Sequence, residues 1–279
     1  MHNYKIGLYE KAMPEMLNWK EKLQCAKECG YDYVEMSIDA MDVKINRIYM
    51  SKTERKKIVD LMYEIGIPIG SMSISALTKY ALGDPEDTIR DRGLEIAIKS
   101  IELAAELGVR VVMIPGYDIY FGESTQQTEA LFIENIRLIT LVAAREGVVL
   151  GFETMENNFM NLTEKAMKYV ELINSPYLKV YPDSGNITNA FADVPAIANG
   201  DLVTGNGHIV ALHLKETKPN IYREVPYLTG HVNFEAMIET AWTQGVRRYV
   251  TELWYVGQEE WKEDIINANK IMCNILDKQ

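Results

Sequence analysis

The sequence is poor in cysteine and histidine, with three cysteines and four histidines among 279 residues. Cys25, Cys29 and Cys273 lack the spacing of a zinc site, so we expect reduced thiols rather than ligands. No apolar run approaches the roughly 18 residues of a membrane-spanning helix. The segment from Met1 to Lys5 has no secretory leader pattern, and we therefore expect a cytoplasmic protein.

Positive charge is also scarce. The sequence has 29 lysines and arginines against 40 acidic residues, which gives a formal net charge of -11. Nucleic acids and anionic membranes attract basic surfaces, so this balance argues against both as main partners. A phosphorylated metabolite held by a local group of cations remains compatible with it. No linker or low-complexity segment divides the chain, and we expect one domain over residues 1–279.

Short apolar runs, by contrast, are abundant, and they alternate with amphipathic segments. The composition is 47% hydrophobic and 25% charged, which is typical of a globular protein. Strands are predicted over 6–8, 33–36, 67–72, 109–114, 148–153, 178–183, 209–213 and 249–252. Eight apolar strands alternating with helices indicate a buried parallel sheet. We predict a single (β/α)₈ barrel, a fold of about 250 residues; an open, doubly wound sheet is the alternative.

The helical segments are marked by apolar periodicity, caps and terminal glycines. The first predicted helix has Met16, Trp19, Leu23 and Ala26 on one face. The others are predicted over 54–64 behind a cap at Ser51, over a long segment that ends at Gly108, and over about 125–146, 164–172, 193–199, 234–244 and 259–275. Gly30, Gly66, Gly108, Gly147 and Gly245 are expected to end helices, because glycine adopts the left-handed conformation cheaply.

Four polar side chains end four successive strands in the second half of the chain: Glu153, Asp183, His213 and Glu252. They are separated by 30, 30 and 39 residues, about the ~30 residues of one strand-helix unit. Because the carboxyl ends of parallel strands share one face of such a fold, these side chains should meet there. Three carboxylates would repel by about 4 kcal/mol per pair at ~4 Å and an effective dielectric of ~20. A divalent cation is the simplest partner, and we predict a shared metal site.

This ligand set has several oxygens and one nitrogen, which suits Mn²⁺, Zn²⁺, Co²⁺ or Mg²⁺. The other histidines are weaker candidates. His2 is in the N-terminal tail, and His208 begins the strand that His213 ends, so it should point to the opposite face of the barrel. His231 follows a glycine in a loop from which it could reach a substrate.

A metal flanked by Glu153 and Glu252 suggests proton transfer on a hydroxyketone. If the two glutamates approach from opposite sides, one removes a proton and the other returns one on the far face. The metal would hold the carbonyl and hydroxyl oxygens and stabilise an enediolate. Each acid or base step contributes about 10²–10⁴-fold. Two-base transfer inverts a carbon, whereas a single base isomerises an aldose to a ketose, and spacing does not choose between them.

Residues 178–186 (LKVYPDSGN) and 207–219 (GHIVALHLKETKP) resemble the xylose-isomerase-like barrel superfamily. More closely, they resemble the L-ribulose-5-phosphate 3-epimerases of the ascorbate-utilisation type, which interconvert L-xylulose 5-phosphate and L-ribulose 5-phosphate. Matching pieces extend over nearly the whole chain, at 7–11, 34–37, 71–75, 116–120 and 252–254. The resemblance implies that the four residues at the strand ends are the metal ligands and that Glu153 and Glu252 are also the acid/base pair. A homodimer is compatible with this family.

The resemblance also identifies candidate substrate-binding residues. Asn186 stands where related ketose epimerases often carry a substrate-binding histidine. The loop from 215 to 223 brings Lys215, Lys218 and Arg223 near His213, and we expect a phosphate contact there, although a solvated charged loop is the alternative. Tyr117, in the loop after the fourth strand, is a further candidate.

Two segments differ from the family pattern and bear on the substrate. Residues 75–78 read Ser-Ala-Leu-Thr where the family has Ser-Ala-His-Arg, and 228–230 read Leu-Thr-Gly where it has Gly-x-Gly. The alternative function is therefore an epimerase or isomerase of unphosphorylated ketoses or related polyols, of the tagatose 3-epimerase, inosose or hydroxypyruvate isomerase type. A DNA-repair endonuclease of this fold is nearly excluded. Such an enzyme needs several more histidines for its multi-metal cluster than the four in this sequence, and the acidic net charge is unsuited to DNA. A barrel that binds sugar without turnover is the non-enzymatic reading, against which the four intact ligands argue.

Overall fold

Eight parallel strands form the centre of the structure, a computed structural model that describes residues 3–279. They are β1 (Lys5–Tyr9), β2 (Tyr33–Ser37), β3 (Ile69–Ser73), β4 (Val111–Pro115), β5 (Val149–Glu153), β6 (Leu178–Tyr181), β7 (Leu212–Leu214) and β8 (Arg248–Thr251). The order is β6-β5-β4-β3-β2-β1-β8-β7, so that β1 pairs with both β2 and β8. The predicted barrel is confirmed, and the open-sheet alternative is wrong. His2 lies outside the described residues.

The two ends of this order, β6 and β7, meet through isolated bridges instead of a continuous ladder. Val180 bridges Ile209 in parallel, and Asp183 bridges His213 in the same way. The His213 N–H donates to the Pro182 carbonyl at 2.9 Å. The barrel is therefore nearly closed, with a seam between β6 and β7 that runs directly beside two of the predicted metal ligands.

Nine α-helices are found in residues 3–279, and most lie between one strand and the next. They are α1 (Trp19–Glu28), α2 (Asp42–Ile45), α3 (Lys52–Ile65), α4 (Asp87–Leu107), α5 (Gln126–Glu146), α6 (Thr163–Ile173), α7 (Ser184–Ala190), α8 (Phe234–Thr243) and α9 (Trp261–Leu276). Ser51 caps α3 as predicted, and its hydroxyl accepts from the Glu54 N–H. Gly66, Gly108 and Gly147 end α3, α4 and α5 at φ of +80°, +78° and +67°, the left-handed region that favours glycine. In the described part of the chain, every helix is too short or too polar to span a bilayer.

Two helix predictions are wrong. Met16 lies outside α1, because that helix begins after its N-cap residue Asn18, and the Met16 side chain is exposed. The helix expected over 193–199 is instead α7, placed directly after β6, followed by a 3₁₀ helix over Pro195–Gly205. The α7 sequence is rich in Ser, Asn, Gly and Thr, which are poor helix formers. It is helical because the Asp183 side chain caps it and because nearly the whole of it is buried.

Large aromatic side chains fill the barrel interior. Tyr33 packs there with Tyr9, Tyr181 and other buried residues. A Cβ at Gly7 would lie 2.3 Å from the Tyr33 ring and one at Gly70 would lie 2.6 Å from it, so glycine at both positions makes room for this tyrosine. These side chains fill the barrel below the carboxyl ends of the strands, and the predicted metal ligands lie at those ends.

Candidate metal centre

The four predicted ligands come together at the carboxyl end of the barrel. One ligand atom from each of Glu153, Asp183, His213 and Glu252 lies within 4.8 Å of the others. Glu153 is the last residue of β5 and His213 is in β7, whereas Asp183 and Glu252 follow β6 and β8 closely. Parallel strands of one barrel place such positions on one face, which is why residues 30 to 39 apart in the sequence meet here.

The imidazole of His213 faces the three carboxylates through its Nδ1 atom. This atom lies 2.9 Å from Glu252 Oε2, 3.6 Å from Glu153 Oε1 and 3.9 Å from Asp183 Oδ2. His213 and Asp183 are fully buried, whereas Glu153 and Glu252 are each 7% exposed and line a cavity. The two glutamates are thus the candidate ligands that can reach a molecule in the cavity.

Hydrogen bonds fix the positions of Glu153 and Asp183. The Gly116 N–H donates to the Glu153 carbonyl at 3.0 Å, and a Cβ on Gly116 would lie 2.4 Å from that oxygen, so only glycine fits. The Asp183 N–H donates to Thr154 Oγ1 at 2.9 Å, and Asp183 Oδ1 accepts the Asn186 N–H at 2.6 Å. These contacts hold the ligands in place within the fold itself.

The cluster fits a divalent cation. Asp183 Oδ2 is buried and has no hydrogen-bond partner among the described residues, although buried oxygens normally have one. Lys215 Nζ lies 3.2 Å from Asp183 Oδ1 and 3.7 Å from Glu252 Oε2, and it is one cation against three carboxylates. Carboxylate oxygens with one imidazole suit Mn²⁺, Zn²⁺, Co²⁺ and Mg²⁺.

Burial and charge shift the protonation of all four groups. Burial raises the pKa of Glu153 and of Asp183. Burial acts in the same direction on Glu252, but Lys215 and His213 outweigh it and lower the pKa of that carboxyl. At His213 burial opposes the charged ring, yet the carboxylates of Glu35 and Glu252 raise its pKa well above the ordinary value. These shifts favour proton uptake by Glu153, Asp183 and His213, and a bound cation would compete with those protons.

A cavity of about 440 Å³ opens above the cluster. Of the predicted substrate-binding residues, Tyr117, Asn186, Lys215 and Arg223 line it. Lys215 Nζ donates to Asn186 Oδ1 at 2.8 Å, so these two side chains act together. Lys218 is exposed and is not among the lining residues, because its segment folds back in a bridge to Ile221.

Several residues near the site had no role assigned from the sequence. Lys11 lines the cavity and lies 3.2 Å from both Ser75 Oγ and Asp39 Oδ2. Ser75 and Thr78 also line it, so the segment at 75–78 still presents hydroxyl groups there. Glu35 contacts the far side of His213; its sequence signal was a carboxylate within an otherwise apolar strand.

His208 and His231 contact Lys179 and Thr217, respectively, and neither lines the cavity. Their placement leaves His213 as the imidazole that faces the cluster among the described residues.

Known proteins resemble this chain in sequence and in fold. A family model described as xylose isomerase-like TIM barrel matches residues 23–269. The L-ribulose-5-phosphate 3-epimerase UlaE of Escherichia coli is 37% identical over 264 residues, which cover 94% of this chain and 92% of that protein. D-psicose 3-epimerase from Clostridium cellulolyticum, solved with D-tagatose, superposes with a TM-score of 0.79 at 15% identity, covering 98% of this chain and 99% of that one. A xylose isomerase-like TIM barrel protein from Mycobacterium smegmatis, solved with magnesium, gives 0.74 at 16% identity, with 100% and 99% covered.

Proposed function

The chain belongs to the xylose isomerase-like TIM barrel family, and we propose that, like its L-ribulose-5-phosphate 3-epimerase relative, it is a metal-dependent sugar-phosphate 3-epimerase. Its reaction would interconvert L-xylulose 5-phosphate and L-ribulose 5-phosphate. The observation that carries the proposal is the convergence of Glu153, Asp183, His213 and Glu252 beneath a cavity into which two of them, both glutamates, project.

The two glutamates supply the acid and the base. Inversion at C3 of a ketose requires one group to take the proton from one face and a second group to return a proton on the other face. Glu153 and Glu252 come from β5 and from the end of β8, so they enter the cluster from different strands. A divalent cation held by the four residues would act as a Lewis acid on adjacent carbonyl and hydroxyl oxygens.

The remaining polar groups of the cavity orient the substrate. Lys215 and Asn186 form a fixed pair beside Asp183, where an ammonium group can donate to a substrate oxygen. Arg223 lines the cavity and provides a guanidinium for the phosphate, whose oxygens accept strong charge-assisted hydrogen bonds. Tyr117 adds a phenolic hydroxyl on the side of β4.

Solvent-deuterium exchange tests the reaction. Incubated with L-ribulose 5-phosphate in heavy water, the metal-loaded protein should incorporate deuterium at C3, and the same sample treated with a chelator should not. Mass spectrometry of recovered sugar phosphates measures both. Absence of deuterium at C3 in the metal-loaded sample contradicts the proposal.

An unphosphorylated ketose is the second candidate substrate. The cations that line the cavity already contact carboxylates: Arg223 lies 3.3 Å from Glu156, and Lys11 lies 3.2 Å from Asp39. A neutral sugar would leave these pairs intact. Turnover of L-ribulose 5-phosphate and of free L-ribulose by the same preparation decides the matter, since the first proposal requires a clear preference for the phosphate ester in kcat/KM.

A further inference from the structure

Glu35 is a fully buried carboxylate near the middle of β2, where it is flanked by Val34 and Met36. A carboxylate in such a place is costly unless it is paired or hydrogen-bonded. It does not line the cavity, so it is not a substrate contact. The structure must therefore give this charge some other partner.

Three donors surround the Glu35 carboxylate. Its Oε1 accepts from His213 Nε2 at 2.7 Å, and its Oε2 accepts from Ser71 Oγ at 2.6 Å and from the Tyr181 hydroxyl at 2.9 Å. Within residues 3–279, no lysine or arginine nitrogen forms an ion pair with it. The one partner that can carry a positive charge is thus the His213 imidazole, which belongs to the candidate metal centre.

This contact fixes which nitrogen of the ring can bind a cation. With Nε2 directed at a carboxylate, the proton belongs on Nε2, and the Nδ1 lone pair points to the other side. On that side lie Glu252 Oε2 at 2.9 Å and Glu153 Oε1 at 3.6 Å. Histidine ligands of metals commonly donate their second N–H to a carboxylate, which sets the ring orientation and increases its basicity.

We propose that Glu35 is a positioning residue of the metal centre, which holds His213 in the Nε2-protonated form with Nδ1 directed at the three carboxylate ligands. The inference rests on the metal-dependent function proposed above and adds a residue from β2 to it. Glu35 is itself held in place from β3 by Ser71 and from β6 by Tyr181. The Tyr181 ring also contacts the His213 ring edge-on, with centroids 4.9 Å apart. The position of one ligand is therefore determined by strands on several sides of the barrel.

Metal affinity of the apoprotein tests the proposal independently of turnover. Glu35→Gln keeps the size of the side chain and an oxygen for the Nε2–H, but removes the charge. We expect it to weaken binding of Mn²⁺ and Zn²⁺ by about 10–100-fold, the usual effect of losing such a partner. Asp201→Asn is the matched control, because it removes the charge of a buried carboxylate that accepts the Thr163 N–H at 2.6 Å and does not line the cavity. It should change affinity by less than about threefold, since distant sites act independently.

Calorimetric titration with each metal gives the affinities, and circular dichroism shows that the variants are folded. Equal affinity of folded Glu35→Gln and the original protein overturns the proposal. If the original protein binds none of Mn²⁺, Zn²⁺, Co²⁺ and Mg²⁺, the proposed function fails instead, so the two failures are distinguishable.

A second measurement needs no variant. In the zinc-loaded original protein, labelled with ¹⁵N-histidine, the His213 ring should show a protonated Nε2 and a metal-bound Nδ1. The opposite assignment, with zinc on Nε2, overturns the inference even if Glu35→Gln fails to fold. The same spectrum of Glu35→Gln should show a weakened preference for the Nε2-protonated form.

Discussion

Two buried groups of charges in this barrel differ in how their charges are balanced. At the end of β1, the Glu10 carboxylate contacts Lys22 Nζ at 2.5 Å and Arg47 Nη1 and Nη2 at 2.6 and 2.7 Å, and it accepts the Ser37 N–H at 2.9 Å. One carboxylate faces two cations, and both of its oxygens are occupied. We call this group the Glu10 cluster.

The candidate metal centre has the reverse balance. Its three carboxylates have one lysine beside them, since Lys215 Nζ lies 3.2 Å from Asp183 Oδ1 and 3.7 Å from Glu252 Oε2, and Asp183 Oδ2 has no hydrogen-bond partner in the described chain. Both groups are buried beyond the carboxyl ends of strands, so burial alone does not separate them. The comparison teaches that a buried cluster whose charges are compensated internally stabilises the fold, whereas an uncompensated one indicates an additional ligand.

The largest expected effect is on catalysis at the uncompensated cluster. Glu153→Gln removes both a ligand charge and a proton-transfer group, and we expect kcat to fall by at least ~10³-fold. The thermal midpoint should not fall, since one source of repulsion among the carboxylates is also removed. Steady-state kinetics with L-ribulose 5-phosphate and a thermal melt measure the two quantities. Retention of near-normal kcat would mean that the glutamate is not the base or acid.

The Glu10 cluster should respond in the opposite way. Glu10→Gln leaves the buried Lys22 and the partly buried Arg47 without their carboxylate, which typically costs about 3–5 kcal/mol of unfolding free energy. We expect kcat of the folded variant to stay within about threefold, because the Glu10 carboxylate contacts neither ligand nor cavity. Urea unfolding and kinetics check this pair of outcomes. If Glu10→Gln were stable but had little activity, the assignment of a structural role to the Glu10 cluster would be contradicted.

The pH dependence of stability sharpens the same contrast. Burial opposes ionisation of Glu10, but Arg47 and Lys22 outweigh it and lower the pKa from its ordinary 4.5 to about 2. The stabilisation is therefore fully present above about pH 4.5 and is lost as the pH falls towards about 2, a loss of about 3 kcal/mol. Urea unfolding between about pH 7 and pH 3 should show a steeper acid loss for the original protein than for Glu10→Gln. Parallel curves for the two proteins would contradict the assignment.

The smallest effect is expected at the exposed cations, where charge balance matters less. Arg223→Ala should raise KM for the sugar phosphate by about tenfold, since a charge-assisted contact contributes roughly 1.5 kcal/mol. Lys218→Ala is the control and should leave KM unchanged, because that lysine lies outside the cavity. Unfolding free energy should change by less than about 1 kcal/mol in both. Equal KM values for the two variants would show that the guanidinium does not contact the phosphate.

Much of this architecture can be predicted from the sequence because it depends on local pattern. The apolar runs and glycine stops place the strands and most helices, and the spacing of polar residues at strand ends places Glu153, Asp183, His213 and Glu252 together. The helix α7 was missed because its residues favour other conformations and only tertiary burial and the Asp183 cap make it helical. Local pattern also gave Met16 a helical position that it does not have.

Contacts between distant strands were beyond the reach of sequence patterns. Glu35 is 178 residues from His213 along the chain, and nothing near it in sequence announces that partner. Lys215, Lys218 and Arg223 are equivalent as charges in a loop, and only the fold of that loop leaves Lys218 outside the cavity. Sequence pattern thus brings the four candidate ligands together, while the groups that orient them require the three-dimensional arrangement.

The seam between β6 and β7 has a mechanical consequence. Asp183 and His213 form a bridge where β6 and β7 lack a continuous ladder. Opening the barrel between these two strands must therefore move the two side chains apart. A cation bound to both Asp183 and His213 would hold β6 and β7 together where their pairing is least continuous. Amide hydrogens along the seam should then exchange with solvent more slowly when the cation is bound, while the exchange rates of those in β2 and β3 should not change.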